Sequence, residues 1–196
     1  MKVVRIPIDD IGGAVQEAYA ALGKGGVVVC PTDTVYGLLA DATNEKAVQK
    51  IFEIKGRPKN KALPIFVKDM KTAKRVAHIS KKQETFLKKA WPGKVTAILR
   101  SKGVLPEGLE KDGTIALRIP KYELAHRILE KLDRPLTGTS ANISGEPSCL
   151  EAKEVLTQFA KRKVRPDMVL DAGALPPSKP SMIIDITGKE YSILRS

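Results

Sequence analysis

Apolar residues recur along the chain with two spacings that alternate from the first residues to the last. Short apolar runs predict strands near residues 3–8, 27–30, 63–67, 95–99, 114–119, 136–137, 168–170, 182–186 and 191–194. Apolar positions three or four residues apart predict helices near residues 11–22, 44–56, 80–90, 123–132 and 151–161. Because strands and helices alternate without repeats or low-complexity tracts, an α/β or α+β fold is predicted.

Polar residues stand where several of these helices should begin. Asp9 or Asp10 can cap the first helix and Asn44 the second. Ser80, followed three positions later by a glutamine, forms a capping-box pattern. Gly56 is placed to end the second helix in the left-handed conformation. These signals fix the predicted helix boundaries.

Length and composition fit one folded domain spanning residues 1–196. The chain is 42% hydrophobic but only 5% aromatic, so its core should be aliphatic. No run approaches the roughly 20 apolar residues that a membrane helix needs, and the amino terminus lacks a hydrophobic signal region. Cys30 and Cys149 show neither metal-ligand spacing nor a disulfide framework. The simplest interpretation is a soluble cytosolic protein.

The balance of charges points to an anionic partner. Lysine and arginine outnumber aspartate and glutamate by 34 to 22, which gives a formal net charge of +12. Such an excess favours nucleotide or RNA as a partner. Lysine-rich solvated surfaces, as in thermally robust proteins, are the alternative explanation.

The motifs of P-loop nucleotide binding and of covalent catalysis are missing from the sequence. There is no phosphate-binding P-loop motif and no G-x-S-x-G nucleophile elbow. The only histidines, His78 and His126, are better explained as structural residues, and neither cysteine has an obvious base beside it. A covalent mechanism therefore has weak support.

Cationic and hydroxyl side chains remain as candidate binding groups. Lys55 and Arg57 follow a predicted helix in a stiff loop, where they could bind an anion or simply compensate the helix dipole. Arg118 is a charge inside an apolar run, so it needs an anionic partner. A ligand is favoured there over an internal salt bridge. Polar turns that follow apolar residues, at 31–34 and 138–142, supply small donors of the kind that can hold phosphate.

Six segments, in order along nearly the whole chain, resemble the YrdC/Sua5 family of threonylcarbamoyl-AMP synthases in its single-domain form. They are PTDTVYGL (31–38), the Lys55-x-Arg57 pair within KGRPKNK, WPGKVT (91–96), IALRIP (115–120), Ser140-x-Asn142 within TSAN, and PSMIID (180–185). In the last segment, Met182 stands where the family usually has threonine.

The resemblance implies a fold and a reaction. The fold would be a twisted mixed sheet flanked by helices, with a concave basic face that binds ligands. The reaction would condense L-threonine, bicarbonate and ATP into threonylcarbamoyl-AMP and pyrophosphate, as a nucleotidyltransferase does. The product would serve the t6A modification of tRNA at position 37. The implied partners are ATP, L-threonine, bicarbonate, tRNA and a downstream threonylcarbamoyl transferase, and Mg2+ would arrive with ATP.

The resemblance also implies roles for individual residues. Lys55 and Arg57 would contact phosphates and act as the catalytic pair. The implied L-threonine set is Thr34, Arg118 and Ser140. Further nucleotide contacts would come from Thr114, Asn142, Ser148 and Arg195, and the residues expected to shape the pocket are Thr32, Tyr36 and Ser181.

Two alternative functions stay open at the level of sequence. The basic charge would suit an RNA-binding module without catalysis, although aromatic stacking platforms are sparse. A YciO-like paralogue would share the fold but have weak or different nucleotide chemistry. The intact Lys55-x-Arg57 and Ser140-x-Asn142 pairs favour the synthase.

Overall fold

The computed structural model describes residues 1–7 and 10–196 and confirms the alternation of strands and helices. The helices are α1 (Gly12–Gly23), α2 (Glu45–Lys55), α3 (Met70–Val76), α4 (Lys81–Ala90), α5 (Glu123–Leu132) and α6 (Ala152–Phe159). The strands are β1 (Lys2–Arg5), β2 (Val28–Cys30), β3 (Gly37–Leu39), β4 (Ile65–Phe66), β5 (Ala77–His78), β6 (Val95–Ser101), β7 (Glu110–Lys111), β8 (Thr114–Arg118), β9 (Leu136–Thr137), β10 (Thr139–Ser140), β11 (Met168–Asp171), β12 (Met182–Asp185) and β13 (Ser192–Arg195).

The strands form two mixed sheets. The first sheet has the order β1-β11-β2-β3-β10, and its first three strands are parallel while β3 and β10 pair antiparallel. The second sheet has the order β13-β12-β6-β8-β4-β9, with β5 added beside β6 and β7 beside β8. Its β12–β6 and β4–β8 pairs are parallel and its β6–β8 pair is antiparallel. This mixture of parallel and antiparallel pairs confirms the predicted mixed α/β class.

The core is aliphatic, as the composition predicts, and it lies in two clusters. Successive side chains of a strand point to opposite faces of its sheet. In β2 the side chains of Val28 and Cys30 accordingly join one cluster with α1 and α5, whereas the neighbouring Val29 joins the other. The first sheet is therefore covered on both faces, which explains why the run at 27–30 is uniformly apolar.

Most of the predicted helix boundaries are confirmed. The Asn44 side chain accepts a hydrogen bond from the backbone N–H of Ala47 at 3.2 Å, and Gly56 ends α2 with a φ of 58°. Ser80 forms the predicted capping box. At the start of α1 the N-cap residue is Ile11, although Asp10 still accepts a hydrogen bond from Gly12. The alternative cap Asp9, like Ile8 at the end of the first predicted strand, lies outside the described residues.

Four short strands, β3, β5, β7 and β10, and the short helix α3 escaped the sequence pattern. Residues 138–142 were predicted as a turn, but Thr139 and Ser140 form β10, which pairs with Leu38 and Gly37 of β3. Strands of two or three residues are too short to show an alternating pattern. The pairing matters because it brings the segment around Ser140 beside the turn that follows β2.

Candidate functional site

A cavity of about 560 Å³ lies over one face of the second sheet. Strand alternation decides which residues face it. Thr114, Ala116 and Arg118 of β8 line the cavity, while the intervening Ile115 and Leu117 are buried in the core. The cavity is completed by the turn after β2, the loop after α2, and strands β4, β10, β12 and β13.

The lining is cationic and rich in hydroxyl groups. Its basic side chains are Arg57, Lys111, Arg118 and Arg195. Its hydroxyl side chains are Thr32, Thr34, Thr96, Thr114, Thr139, Ser140, Ser148, Ser178 and Ser181. No aspartate or glutamate lines the cavity within residues 1–7 and 10–196. Such a lining suits an anion whose charge needs neutralising and whose oxygens need donors.

Arg118 is buried, and its guanidinium group is partly engaged within the protein. It is 3% exposed. Its Nη2 donates to Asp33 Oδ1 at 2.6 Å, and its Nε donates to the Gly93 carbonyl at 2.8 Å. The internal salt bridge that the sequence interpretation ranked second is therefore present. Burial lowers the pKa of Arg118, and the Asp33 carboxylate opposes that shift.

One edge of that guanidinium group is left for a ligand. In the part of the chain that the structure describes, Arg118 Nη1 has no hydrogen-bond partner, and the residue lines the cavity. Asp33 also accepts a hydrogen bond from the Lys121 backbone N–H at 3.3 Å, which fixes its carboxylate. Asp33 thus holds Arg118 in place without occupying Nη1.

The turn after β2 is ordered by its own hydroxyl groups. Thr32 Oγ1 donates to the Val35 carbonyl at 2.7 Å and lies 3.1 Å from Thr34 Oγ1. Both side chains are buried, and both line the cavity. The Thr34 hydroxyl is therefore presented to the cavity from a fixed position.

Lys55 lies behind the wall of the cavity and does not line it. It is 2% exposed, and its Nζ donates to the carbonyl oxygens of Ser140 at 2.6 Å and Asn142 at 2.7 Å. A third hydrogen bond reaches Asn142 Oδ1 at 3.2 Å. Burial, together with the nearby Arg57 charge, lowers the pKa of Lys55 to about 7. Direct contact between Lys55 and a phosphate stays a prediction.

Asn142 is likewise occupied inside the protein. Its Nδ2 donates to the carbonyls of Ile143 and Glu146, at 3.0 and 2.6 Å. Its Oδ1 accepts hydrogen bonds from Lys55 Nζ and from the Ser140 hydroxyl. Ser140 lines the cavity, whereas Asn142 does not. The Lys55–Asn142 pair therefore fixes the position of Ser140.

Arg57, the other member of the predicted catalytic pair, lines the cavity and is held by backbone carbonyls. Arg57 Nε donates to the Lys61 carbonyl at 2.9 Å, and its Nη2 donates to the Ala62 carbonyl at 3.1 Å. Burial lowers the pKa of Arg57. Arg57 is thus positioned by its own loop, as the stiff sequence around it suggested.

Strands β6, β12 and β13 build another part of the cavity wall. Arg195 Nε and Nη2 donate to the Ser181 carbonyl at 3.0 and 2.7 Å. The Ser181 hydroxyl lies 2.9 Å from Thr96 Oγ1. Ser181, which directly precedes β12, and Ile183 of β12 line the cavity, while the intervening Met182 packs against the core. The methionine at position 182 therefore removes no hydroxyl group from the lining.

Tyr36 is fully buried and is also absent from the lining. Its hydroxyl donates to the Gly173 carbonyl at 2.8 Å and accepts from the Ala172 N–H at 3.0 Å. Burial raises the pKa of Tyr36 to about 12. Tyr36 thus ties the segment after β2 to the loop after β11, one layer behind the cavity.

Comparison with known proteins identifies the family of this chain. A family model described as "Telomere recombination" (Sua5_yciO_yrdC) matches residues 20–196. The chain belongs to the Sua5/YciO/YrdC family. A relative from Methanocaldococcus jannaschii is 41% identical over 172 residues, which make up 88% of this chain and 80% of the relative. The threonylcarbamoyl-AMP synthase of Psychromonas ingrahamii is 32% identical over 178 residues, covering 88% of this chain and 93% of that protein.

Solved structures of this family superpose on the whole chain. Pyrococcus abyssi Sua5 complexed with L-threonine matches with a TM-score of 0.92 at 32% identity, covering 100% of this chain and 57% of that one. Escherichia coli YciO matches with a TM-score of 0.88 at 25% identity, covering 100% of this chain and 96% of that one. The chain thus spans a little over half of the Pyrococcus Sua5 structure.

Within the family fold, the structure brings together most of the residues predicted for the site. Those that line the cavity are Thr32, Thr34, Arg57, Thr114, Arg118, Ser140, Ser148, Ser181 and Arg195. Sequence reasoning missed Asp33, the partner of Arg118, and the lining residues Phe66, Thr96 and Lys111. The available signal for Thr96 was its position as the only hydroxyl residue within the apolar run 95–99.

Two further features are absent from the described residues. No group of three or more histidine, cysteine, aspartate or glutamate side chains there could hold a metal ion. No described helix is both long and apolar enough to cross a membrane.

Proposed function

We propose that the chain is a threonylcarbamoyl-AMP synthase, a nucleotidyltransferase that condenses L-threonine, bicarbonate and ATP. The observation that carries the proposal is the cavity, which combines four basic side chains with hydroxyl groups and has no lining carboxylate within the described residues. Family membership supports the same activity, because related proteins of similar sequence are named threonylcarbamoyl-AMP synthases.

The proposed chemistry needs no enzyme nucleophile. The amine of L-threonine condenses with bicarbonate, losing water, to give a carbamate. A carbamate oxygen then attacks the α-phosphorus of ATP, and the bond to the β-phosphate oxygen breaks to release pyrophosphate. The protein must hold two mutually repelling anions in line and neutralise the charge that develops on the phosphates. A cationic, hydroxyl-lined cavity is suited to that task.

The lining offers groups to both substrates. We assign the amino acid to Thr34, Arg118 and Ser140, with its carboxylate on the free Nη1 of Arg118. The nucleotide is assigned to the remaining predicted residues that line the cavity, which are Arg57, Thr114, Ser148 and Arg195. Ile98, Ala116 and Ile183 line the cavity as well and offer an apolar surface to a nucleobase.

Lys55 and Asn142 act in this proposal as positioning residues. Lys55 donates a hydrogen bond to the Ser140 carbonyl, and Asn142 accepts one from the Ser140 hydroxyl group. Mg2+ is expected to enter with the phosphates of ATP, and bicarbonate to enter beside the amine of threonine. A cytoplasmic location, a single functional domain over residues 1–196, and tRNA and a threonylcarbamoyl transferase as downstream partners complete the proposal.

Release of pyrophosphate tests the function directly. We expect ATP with Mg2+ to yield pyrophosphate only when both L-threonine and bicarbonate are supplied. The measurement is a coupled pyrophosphate assay in which each component is omitted in turn. Pyrophosphate release that continues without threonine would contradict the proposed order of bond formation.

The alternative function, that of a YciO-like protein, rests on the similarity to Escherichia coli YciO along the whole chain. Such a protein would bind nucleotide in the same cavity but would not release pyrophosphate in a threonine-dependent way. A pure RNA-binding module would leave ATP untouched while binding tRNA. The omission assay, repeated with tRNA binding as a second readout, separates the three functions.

Arg57→Ala should lower turnover by about tenfold or more, because a cation assigned to the phosphates of ATP is lost. Arg57 donates hydrogen bonds to the carbonyls of Lys61 and Ala62 in its own loop, so the direct structural effect of its removal falls on that loop. The measurement is kcat for threonine-dependent pyrophosphate release. Arg165→Ala, which removes an exposed arginine remote from the lining, is the matched control. Wild-type turnover in Arg57→Ala would refute the role.

A further inference from the structure

Phe66 of β4 faces the cavity beside Arg118. The two residues are partners in the register of the parallel β4–β8 pair. Arg118 Cζ lies 5.7 Å from the centroid of the Phe66 ring, within the range of a cation–π contact. Phe66 is buried and lines the cavity. The aromatic ring thus forms a wall next to the guanidinium group assigned to the carboxylate.

Gly138 provides the space that this ring occupies. A Cβ atom at position 138 would overlap the Phe66 ring at its Cγ, Cδ1 and Cε1 atoms. The Gly138 N–H donates to the Pro64 carbonyl at 2.8 Å, which keeps its backbone against β4. Gly138 has no positive φ, so glycine is required here by space and not by conformation. Phe66 and Gly138 therefore act as a pair.

The ring lies beside the place that the side chain of a bound amino acid would occupy. A carboxylate bound to a guanidinium group sits about 2.8 Å from its nitrogen atoms. The Cα and Cβ atoms of the amino acid follow one and two bonds beyond the carboxylate carbon. A ring centred 5.7 Å from Arg118 Cζ, in the lining of the same cavity, can then contact the groups on Cβ. Threonine carries a methyl and a hydroxyl group on that atom, and an apolar ring face favours the methyl.

We propose that Phe66, for whose ring Gly138 leaves space, is a specificity-determining residue that selects amino acids with a methyl group on Cβ. The proposal rests on the proposed function, since it takes Arg118 as the carboxylate site. Thr34 and Ser140, on the neighbouring walls, are left to recognise the polar groups of the amino acid. The cavity would accordingly prefer L-threonine to L-serine through the methyl group.

The test compares L-threonine with L-serine in the wild type, Phe66→Leu and Gly138→Ala. One methyl group in an apolar pocket is worth about 10- to 200-fold in kcat/KM, so the wild type should prefer threonine by a factor in that range. Phe66→Leu reduces the apolar wall, and Gly138→Ala displaces the ring that forms it. Each variant should lower the preference by about fivefold or more. The KM for ATP should stay unchanged in Phe66→Leu.

The preference is a ratio measured on a single preparation, so a fraction of unfolded variant cancels from it. Phe86→Leu is the matched control, because Phe86 packs against Tyr191 and does not line the cavity. It should keep the wild-type ratio. An unchanged ratio in both Phe66→Leu and Gly138→Ala would overturn the proposal, as would a wild type that treats the two amino acids alike.

Calorimetric binding of the same two amino acids separates this inference from the proposed function. If the wild type releases no pyrophosphate with any amino acid, the synthase assignment fails. The binding ratio then still decides the role of Phe66: a preference for threonine that falls in Phe66→Leu supports it. Absence of binding by either amino acid, or an unchanged ratio, overturns it.

Discussion

Arg118→Ala should raise the KM for L-threonine by about 100-fold, because truncating a buried charged partner of a bound group costs about 2–5 kcal/mol. The variant removes the Nη1 donor that faces the cavity, while the side chains assigned to the nucleotide are retained. The KM for ATP should therefore change little. The measurement is steady-state pyrophosphate release with threonine and ATP varied separately.

Loss of stability has to be separated from loss of binding in this variant. Arg118→Ala leaves the Asp33 carboxylate without its cation, and breaking such a buried pair costs about 3–5 kcal/mol of unfolding free energy. The double variant Asp33→Ala/Arg118→Ala removes both charges, so it should regain part of that stability but not the affinity for threonine. Arg127→Ala, which breaks an exposed ion pair with Glu123 on α5, is the control. A threonine KM within about threefold of the wild type in folded Arg118→Ala would refute the assignment.

The strand that carries Arg118 shows how much of the site the sequence could predict. An arginine inside an apolar run had to be buried, and a buried guanidinium group had to have an anionic partner. That argument located Arg118 correctly. It could not identify Asp33, 85 positions away along the chain, because a contact between β8 and the turn after β2 depends on how the two sheets meet.

The predicted fold succeeded where a local pattern was long enough to be distinctive. The span of α5, Glu123–Leu132, follows the predicted helix, and the cap residues Asn44 and Ser80 were identified from local rules. Short strands such as β3 and β10 carry no such pattern, since their pairing is set by tertiary contacts. The space shared by Phe66 and Gly138 was hidden for the same reason.

Lys55 shows a different limit of sequence reasoning. A lysine two positions before an arginine, at the end of a helix, has the pattern of an anion-binding pair, and both residues were expected to contact phosphates. In the structure three oxygen acceptors from Ser140 and Asn142 surround Lys55 Nζ, while its contact with a phosphate stays a prediction. Three acceptors match the three donors of an ammonium group. Sequence alone could not distinguish a lysine that binds the ligand from one that holds the binding residue.

Lys55→Met should lower kcat by about 100-fold, because an error of about 1 Å in the position of a binding group can cost that much in rate. The methionine fills a similar space but leaves the carbonyls of Ser140 and Asn142 without their donor. The measurement is kcat for threonine-dependent pyrophosphate release. Lys50→Met, on the same helix, removes an outward-facing lysine that pairs with Asp167 and should keep wild-type turnover.

The stability of the wild type relative to Lys55→Met should increase as the pH rises. Burial lowers the pKa of Lys55 from its ordinary value of 10.5 to about 7, so the unfolded chain binds the proton more tightly. The cost of burying this lysine is therefore greatest below pH 7 and is relieved as the pH rises toward 10.5. The free energy of unfolding of the wild type should rise relative to that of Lys55→Met by up to about 1.4 kcal/mol per pH unit in this window.

Urea unfolding of both proteins between pH 7 and pH 10 measures that difference, since groups common to both proteins cancel. A difference that does not change with pH would mean that Lys55 keeps its ordinary proton affinity in the folded state. A loss of turnover in Lys55→Met together with the rising difference would instead place Lys55 in the buried support of Ser140. The cavity would then hold its anions with Arg57, Lys111, Arg118 and Arg195, while Lys55 fixes the wall behind them.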